Sequence, residues 1–145
     1  MTGRLSSDTL HASTVAVDGR AILITGRSGS GKSDLALRLI DRGFALVSDD
    51  QTIVSRDGER LLATAPATIA GKLEIRGIGI VEMSALSGVP IALVVELDDE
   101  LTRLPEDGRE RTILGLSVPL IGVDAQTPSA AAKVVLALDH LGLKF

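Results

Sequence analysis

Short apolar runs bounded by glycine alternate with amphipathic stretches along this chain, a rhythm that predicts an α/β domain rich in strands. Ala21–Thr25 is apolar as far as its threonine and lies between Gly19 and Gly26, which reads as a strand buried on both faces. Thr14–Val17 before it runs into Asp18-Gly19, a strand entering a tight turn. From Ser33 to Arg42 the period changes: Leu35, Ala36, Leu39 and Ile40 recur at helical spacing, and Gly43 supplies a left-handed stop. Ala45–Ser48 is then a second core strand ending in Asp49-Asp50. Further strands are expected at Thr52–Val54 and Arg60–Leu62, flanking the hairpin signal Asp57-Gly58, and at Leu73–Ile75, Gly79–Met83 and Ile91–Leu97. Ile91–Leu97 is continuous enough to lie centrally in a sheet. Asp98–Arg111 is charged, holds Pro105 and Gly108, and is expected to be a surface loop. A last helix is expected from the cap Thr127-Pro128, with Val134, Val135, Leu138 and Leu141 as its apolar stripe before Gly142.

Composition narrows the function classes. The 145 residues, 45% hydrophobic and 23% charged, suit one domain spanning 1–145 with a self-sufficient core. With no cysteine there is no disulfide, thiol nucleophile or Cys-ligated zinc, which suits a cytoplasmic protein. Two phenylalanines are the only aromatic residues and the net charge is −4, so neither the stacking platforms nor the positive field of a nucleic-acid binder is available. No apolar run approaches the ~20 residues that span a bilayer, and Met1–Thr9 lacks the pattern of a signal peptide, so neither membrane insertion nor secretion is expected.

Chemistry concentrates in Gly26-Arg27-Ser28-Gly29-Ser30-Gly31-Lys32-Ser33, a phosphate-loop pattern in the required context of strand before and helix after. Its glycines let successive N–H groups face phosphate oxygens, Lys32 reaches the β and γ phosphates, and the Ser33 hydroxyl can ligate Mg²⁺. An ordinary Gly-Ser turn capping a helix is the bland alternative. Asp49-Asp50 ends a strand where an acid holds magnesium or takes a proton from an attacking hydroxyl, and a solvated acidic turn is the competing reading. In a doubly wound sheet the loop and this pair share one rim, and two adjacent acids on a continuing strand point opposite ways. In Leu73–Ile80, Glu74 and Arg76 alternate with apolar residues on one face, where they pair with each other or meet metal and phosphate. His11 reads first as a surface or capping residue, and His140 as a favourable charge late in the last helix.

Together, Leu10-His11, the loop Gly26–Ser33, Arg42-Gly43-Phe44 leading to Asp49-Asp50, Ala65-Pro66-Ala67 and Leu73–Ile80 resemble the catalytic domain of HPr kinase/phosphorylase. That family phosphorylates a seryl residue on the sugar-transport phosphocarrier HPr. The resemblance implies a strand-rich P-loop kinase domain related to phosphoenolpyruvate carboxykinase, with ATP and Mg²⁺ bound and a homo-oligomer, a hexamer in the family's usual form, as the assembly. It implies that Gly26, Arg27, Ser28, Gly29, Ser30, Gly31, Lys32 and Ser33 hold the nucleotide. Asp49 then resembles the catalytic acid/base with His11 hydrogen-bonding nearby, Ser33, Asp50 and Glu74 resemble the metal group, and Arg103 resembles a catalytic arginine, although Thr102 and Pro105 flank it.

Two departures shape the expectation. Longer relatives carry an N-terminal domain, whereas this chain begins almost at His11, as short forms do. The family's basic C-terminal loop, tied to the reverse phosphorolytic reaction and to the protein substrate, is replaced by Val118–Ala132, which contains Asp124 and no Lys or Arg. The expected function is an ATP-dependent serine kinase acting forward on an HPr-like carrier. A hydrolytic NTPase, a nucleotide-binding regulatory module and a kinase of a small hydroxylated metabolite stand as alternatives.

Overall fold

The structure, a computed structural model, describes residues 6–97 and 109–145. Its elements in chain order are β1 (Ser7–Leu10), β2 (Ala12–Val17), β3 (Arg20–Thr25), α1 (Lys32–Asp41), β4 (Ala45–Ser48), β5 (Thr52–Asp57), β6 (Arg60–Thr64), a 3-10 turn (Ala67–Ile69), β7 (Lys72–Ile75), β8 (Gly79–Glu82), β9 (Val89–Leu97), β10 (Glu110–Ile113), β11 (Leu116–Val123) and α2 (Ala130–Leu141).

Local chemistry explains the connections. β2 and β3 pair antiparallel with Val17 opposite Arg20, and both turn residues, Asp18 and Gly19, have positive φ (52° and 74°), as a type I′ hairpin requires. The β5–β6 hairpin sets Asp57 opposite Arg60, so its turn is Gly58-Glu59 and only Gly58 has positive φ. The Asp-Gly signal therefore marks the hairpin one residue early. α1 closes in a Schellman motif: Phe44 N–H donates to Leu39 O at 3.1 Å and Gly43 N–H to Ile40 O at 3.0 Å, with Gly43 at φ 106°. Phe44 and Leu39 both enter the core beneath that cap.

β9 is the centre of a nine-stranded mixed sheet. Along one edge it pairs parallel with β3. Along the other it pairs antiparallel with β6 at Val89-Pro90 and parallel with β11 from Val94 to Leu97, so the sheet forks there. Beyond β3 lie β2 and β4, both joined antiparallel, which makes β4 parallel to β3. The carboxyl ends of β3, β4, β9 and β11 accordingly meet at one rim, together with the entry into β2. β7 and β8 form a separate two-stranded ribbon.

Two cores sandwich the sheet. Ile22, Ile24, Leu93 and Val95 meet Leu35 and Leu39 of α1 and Val134 and Leu138 of α2. Leu23, Ile91 and Val94 meet Val54, Leu61 and Val118 on the opposite side. Both helices thus pack in the first core and strands close the second, so the doubly wound arrangement used to place the rim does not hold, although the shared rim does. Burying Ile22, Leu23 and Ile24 fully, at about 1.5–3 kcal/mol for each side chain, is what makes β3 a rigid base for the loop that follows it.

Three further differences concern the second half. Glu110 and Arg111, expected in a loop, belong to β10, and residues 98–108, including Arg103, lie outside the described residues. α2 starts at Ala130 because Thr127 Oγ1 donates to Asp124 O at 2.8 Å, keeping Thr127-Pro128 in the preceding turn. Val134 and Leu138 are buried as expected, whereas Leu141 is 56% exposed.

Candidate active site

Four strand ends deliver the site. β3 runs into the loop Gly26–Ser33, whose turn is closed by Ser30 N–H donating to Arg27 O at 3.0 Å. Gly26 must be glycine, since a Cβ there would lie 2.6 Å from Ser30 Oγ and 3.2 Å from Leu97 Cβ, at φ 152°. Lys32 is 5% exposed, and its ammonium donates to Gly26 O at 3.0 Å and Arg27 O at 3.1 Å, which folds the cation over the loop with one N–H to spare. The N-terminus of α1 opens from the same loop and carries its partial positive charge toward the cavity in front of it.

β4 ends in the two aspartates, and they do different things. Asp49 is 8% exposed and accepts from three donors: Ser33 Oγ at 2.6 Å and Ser13 Oγ at 2.9 Å on one oxygen, and Glu74 N–H at 3.0 Å on the other. Both oxygens of this carboxylate are therefore anchored by fixed donors on three different elements. Asp50 follows at φ 66° with Gln51 N–H donating back to Asp49 O at 2.7 Å, a two-residue reach that makes Asp50 the centre of a strained γ-turn. Strain of this kind costs about 1–3 kcal/mol and persists where neighbours over-determine it. His11 Nε2 stands 3.1 Å from Asp50 Oδ1, with both side chains about half exposed (51% and 58%).

Two cavities flank the loop. One of about 840 Å³ is lined by Lys32, Ser33, Asp49, Asp50, Glu74 and Arg76. The other, about 750 Å³, is lined by His11, Arg27, Glu96, Arg111 and Asp124 among others. Gly29, Ala125 and Gln126 border both. The His11–Asp50 pair joins them, with His11 in one wall and Asp50 in the other. Residues 124–128 are fixed to α1 by Arg38, which donates to Ala125 O at 2.6 Å and pairs with Asp34 at 3.1 Å.

The expected site residues are therefore gathered, with their contacts redistributed. Loop residues 26–33, Asp49, Asp50, Glu74 and His11 all border the paired cavities. His11 bonds Asp50 rather than Asp49, and it is Asp49 rather than Asp50 that bonds Ser33. Glu74 reaches Asp49 through its backbone, its side chain is exposed, and it makes no ion pair with Arg76 among the described residues. No three acidic or histidine side chains cluster as a metal group among the described residues. Ser33 and Asp49 offer two adjacent hard oxygens, a set that suits a magnesium ion whose other ligands are water and phosphate. Ser13 and Ser48 were not singled out for this site by sequence pattern. A polar residue inside the buried strand β2 is the signal that could have marked the first.

The profile of the HPr Serine kinase C-terminal domain family matches residues 4–139. The chain belongs to that family. Among relatives, the HPr kinase/phosphorylase of Limosilactobacillus reuteri is 38% identical over 139 residues, 87% of this chain and 43% of the relative. That of Chlorobium limicola is 41% identical over 150 residues, 93% of this chain and 44% of the relative. The chain thus spans well under half the length of these curated relatives. Among solved structures, the Hpr(Ser) kinase/phosphatase from Coxiella burnetii superposes with a TM-score of 0.78 at 30% identity, covering 92% of this chain and 95% of that one. The strand-rich α/β architecture is accordingly that of the HPr kinase family.

Proposed function

We propose that this domain is an ATP- and Mg²⁺-dependent serine kinase that transfers the γ-phosphoryl group to a seryl hydroxyl of an HPr-like phosphocarrier. Family membership supports the class of reaction. The observation that carries the mechanism is the division of the two aspartates, Asp49 on the phosphate-loop serine and Asp50 on His11 at the junction of the two cavities.

In this reading the cavity at the α1 N-terminus takes the nucleotide, with loop N–H groups and Lys32 holding its phosphates. Ser33 and Asp49 hold magnesium, which neutralises developing phosphate charge when bound. Asp50 accepts the proton of the incoming hydroxyl. It is the freer of the two carboxylates, its side chain is reachable from outside, and His11 orients it. This moves the acid/base role from Asp49, expected from the resemblance, to Asp50, because Asp49 is buried against Ser33 on the magnesium side whereas Asp50 is exposed beside His11. The acceptor hydroxyl enters from the cavity that contains His11. We further propose a cytoplasmic homo-oligomer, since ATP and a phosphocarrier are met there and Leu136, Leu141 and Phe145 leave apolar surface exposed near the C-terminus.

Labelled ATP incubated with the chain, alone and with HPr-like carriers, tests the reading. Label on the carrier is expected. Free phosphate without labelled carrier points to a hydrolytic NTPase, binding without turnover to a regulatory module, and either result overturns the proposal.

A further inference from the structure

We infer that Ser13 is a positioning residue that clamps the two aspartates, holding Asp49 at Ser33 and Asp50 at His11. The inference rests on the kinase reading for its consequence in turnover and on geometry for everything else. Ser13 is fully buried at 0% exposure in β2, and its hydroxyl uses both of its capacities on the acid pair. It donates to Asp49 Oδ1 at 2.9 Å and accepts from Asp50 N–H at 3.0 Å. One hydroxyl therefore clamps the side chain of the first aspartate and the backbone of the second, at the residue that the chain forces to φ 66°. Without that acceptor, a γ-turn would have to keep an unpaired N–H beside a buried carboxylate, and an extended backbone at Asp50 would relieve it.

The rest of the neighbourhood makes the clamp effective. Ser48 Oγ donates to Gln51 O and so grips the far side of the same turn. Thr52 Oγ1 donates to Ala12 O at 2.9 Å and lies 2.8 Å from Thr14 Oγ1, which locks the chain on both sides of Ser13 to the strand leaving the turn. His11 stands two residues before Ser13, at the entry to the same strand. The clamp thus sets the position of Asp50 relative to the imidazole that orients it. Deleting the hydroxyl removes no contact of Lys32 or the loop, and Asp49 keeps its bonds from Ser33 and Glu74 N–H, so turnover should fall further than nucleotide affinity.

The experiment compares the full chain with Ser13→Ala and Ser13→Thr, the threonine restoring the hydroxyl on a residue suited to a strand. Amide hydrogen exchange at Asp50 is read by NMR beside kcat and KM for Mg-ATP with a phosphocarrier. In Ser13→Ala the Asp50 amide should exchange about tenfold faster or more, with β9 amides unchanged. Its kcat should fall about 10- to 100-fold, the range for a lost supporting hydrogen bond, with KM for Mg-ATP within about threefold. Ser13→Thr should recover both protection and turnover. Unchanged Asp50 exchange in Ser13→Ala overturns the inference, as does lost protection with wild-type kcat. A uniform acceleration of exchange across β2 and β9 with unaltered turnover would make Ser13 a packing residue only and also overturns it. Absence of transfer by the wild-type chain overturns the kinase reading alone, and the exchange comparison then still decides on the clamp.

Discussion

Replacing Asp50 by asparagine separates proton acceptance from every other role this residue has. Asparagine tolerates positive φ well, so the turn at φ 66° survives, and its amide oxygen can still accept from His11. The side chain is 58% exposed and its contact with His11 is worth at most about 1 kcal/mol, so the melting temperature should shift by no more than a few degrees. Mg-ATP affinity should stay within about twofold, because Lys32, Ser33 and Asp49 are untouched. Turnover is another matter: removing a general base costs about 10²- to 10⁴-fold, or roughly 3–5 kcal/mol of transition-state stabilisation. Asp49→Asn provides the contrast. It weakens three charge-assisted hydrogen bonds from Ser13, Ser33 and Glu74 N–H, each by about 1 kcal/mol, and so should lower both stability and Mg-ATP affinity. Raising magnesium should recover part of the Asp49→Asn defect and none of the Asp50→Asn defect. Calorimetry with Mg-ATP and single-turnover transfer at two magnesium concentrations provide the readouts. If Asp50→Asn keeps near-wild-type turnover while Asp49→Asn loses it at all magnesium levels with normal binding, the assignment of the two acids is refuted.

Lys32→Ala should weaken Mg-ATP binding at least about tenfold, since it removes the ammonium folded over the loop, and equal affinities by calorimetry would remove the loop from the nucleotide site. Light scattering at micromolar concentration should give a multiple of 15.1 kDa, and the monomer mass would reject assembly. Phosphorolysis of phosphoserine carrier by inorganic phosphate should run at least about tenfold slower than the forward reaction. Arg27 and Arg111 line the cavity expected to take the second anion, but Glu96 and Asp124 share that cavity and offset them. Comparable rates of pyrophosphate release and forward transfer would contradict this, and Arg111→Ala would then identify the source of the charge.

Where residues follow strong local rules, the sequence was readable. The phosphate loop, the Asp18-Gly19 turn and the Gly43 helix stop each depend on a glycine that few other residues can replace, and each was found in place. β1 was missed because Ser7, Asp8 and Thr9 are exposed on an edge strand with no apolar alternation to mark it. The β10–β11 hairpin was missed for a different reason. Its turn places Leu114 at φ 50° beside Gly115, and a leucine carries none of the turn signal of Asn or Asp. At the site, the pattern identified the acid pair, but β4 ends at Ser48, so the different contacts of the two acids come from the turn at Asp50 and not from strand alternation. The pattern did not show which acid meets His11, because that depends on a γ-turn stabilised by Ser13 from another strand. Long-range contacts of this kind leave no trace in local periodicity.

The most direct test of the central claim is mass-spectrometric mapping of an HPr-like phosphocarrier after incubation with the chain and Mg-ATP, under conditions that preserve both phosphoserine and phosphohistidine. The account predicts one phosphorylated seryl residue on the carrier, formed by the wild-type chain and almost absent with Asp50→Asn. A carrier left unmodified, modified on histidine, or phosphorylated equally well by Asp50→Asn would contradict it.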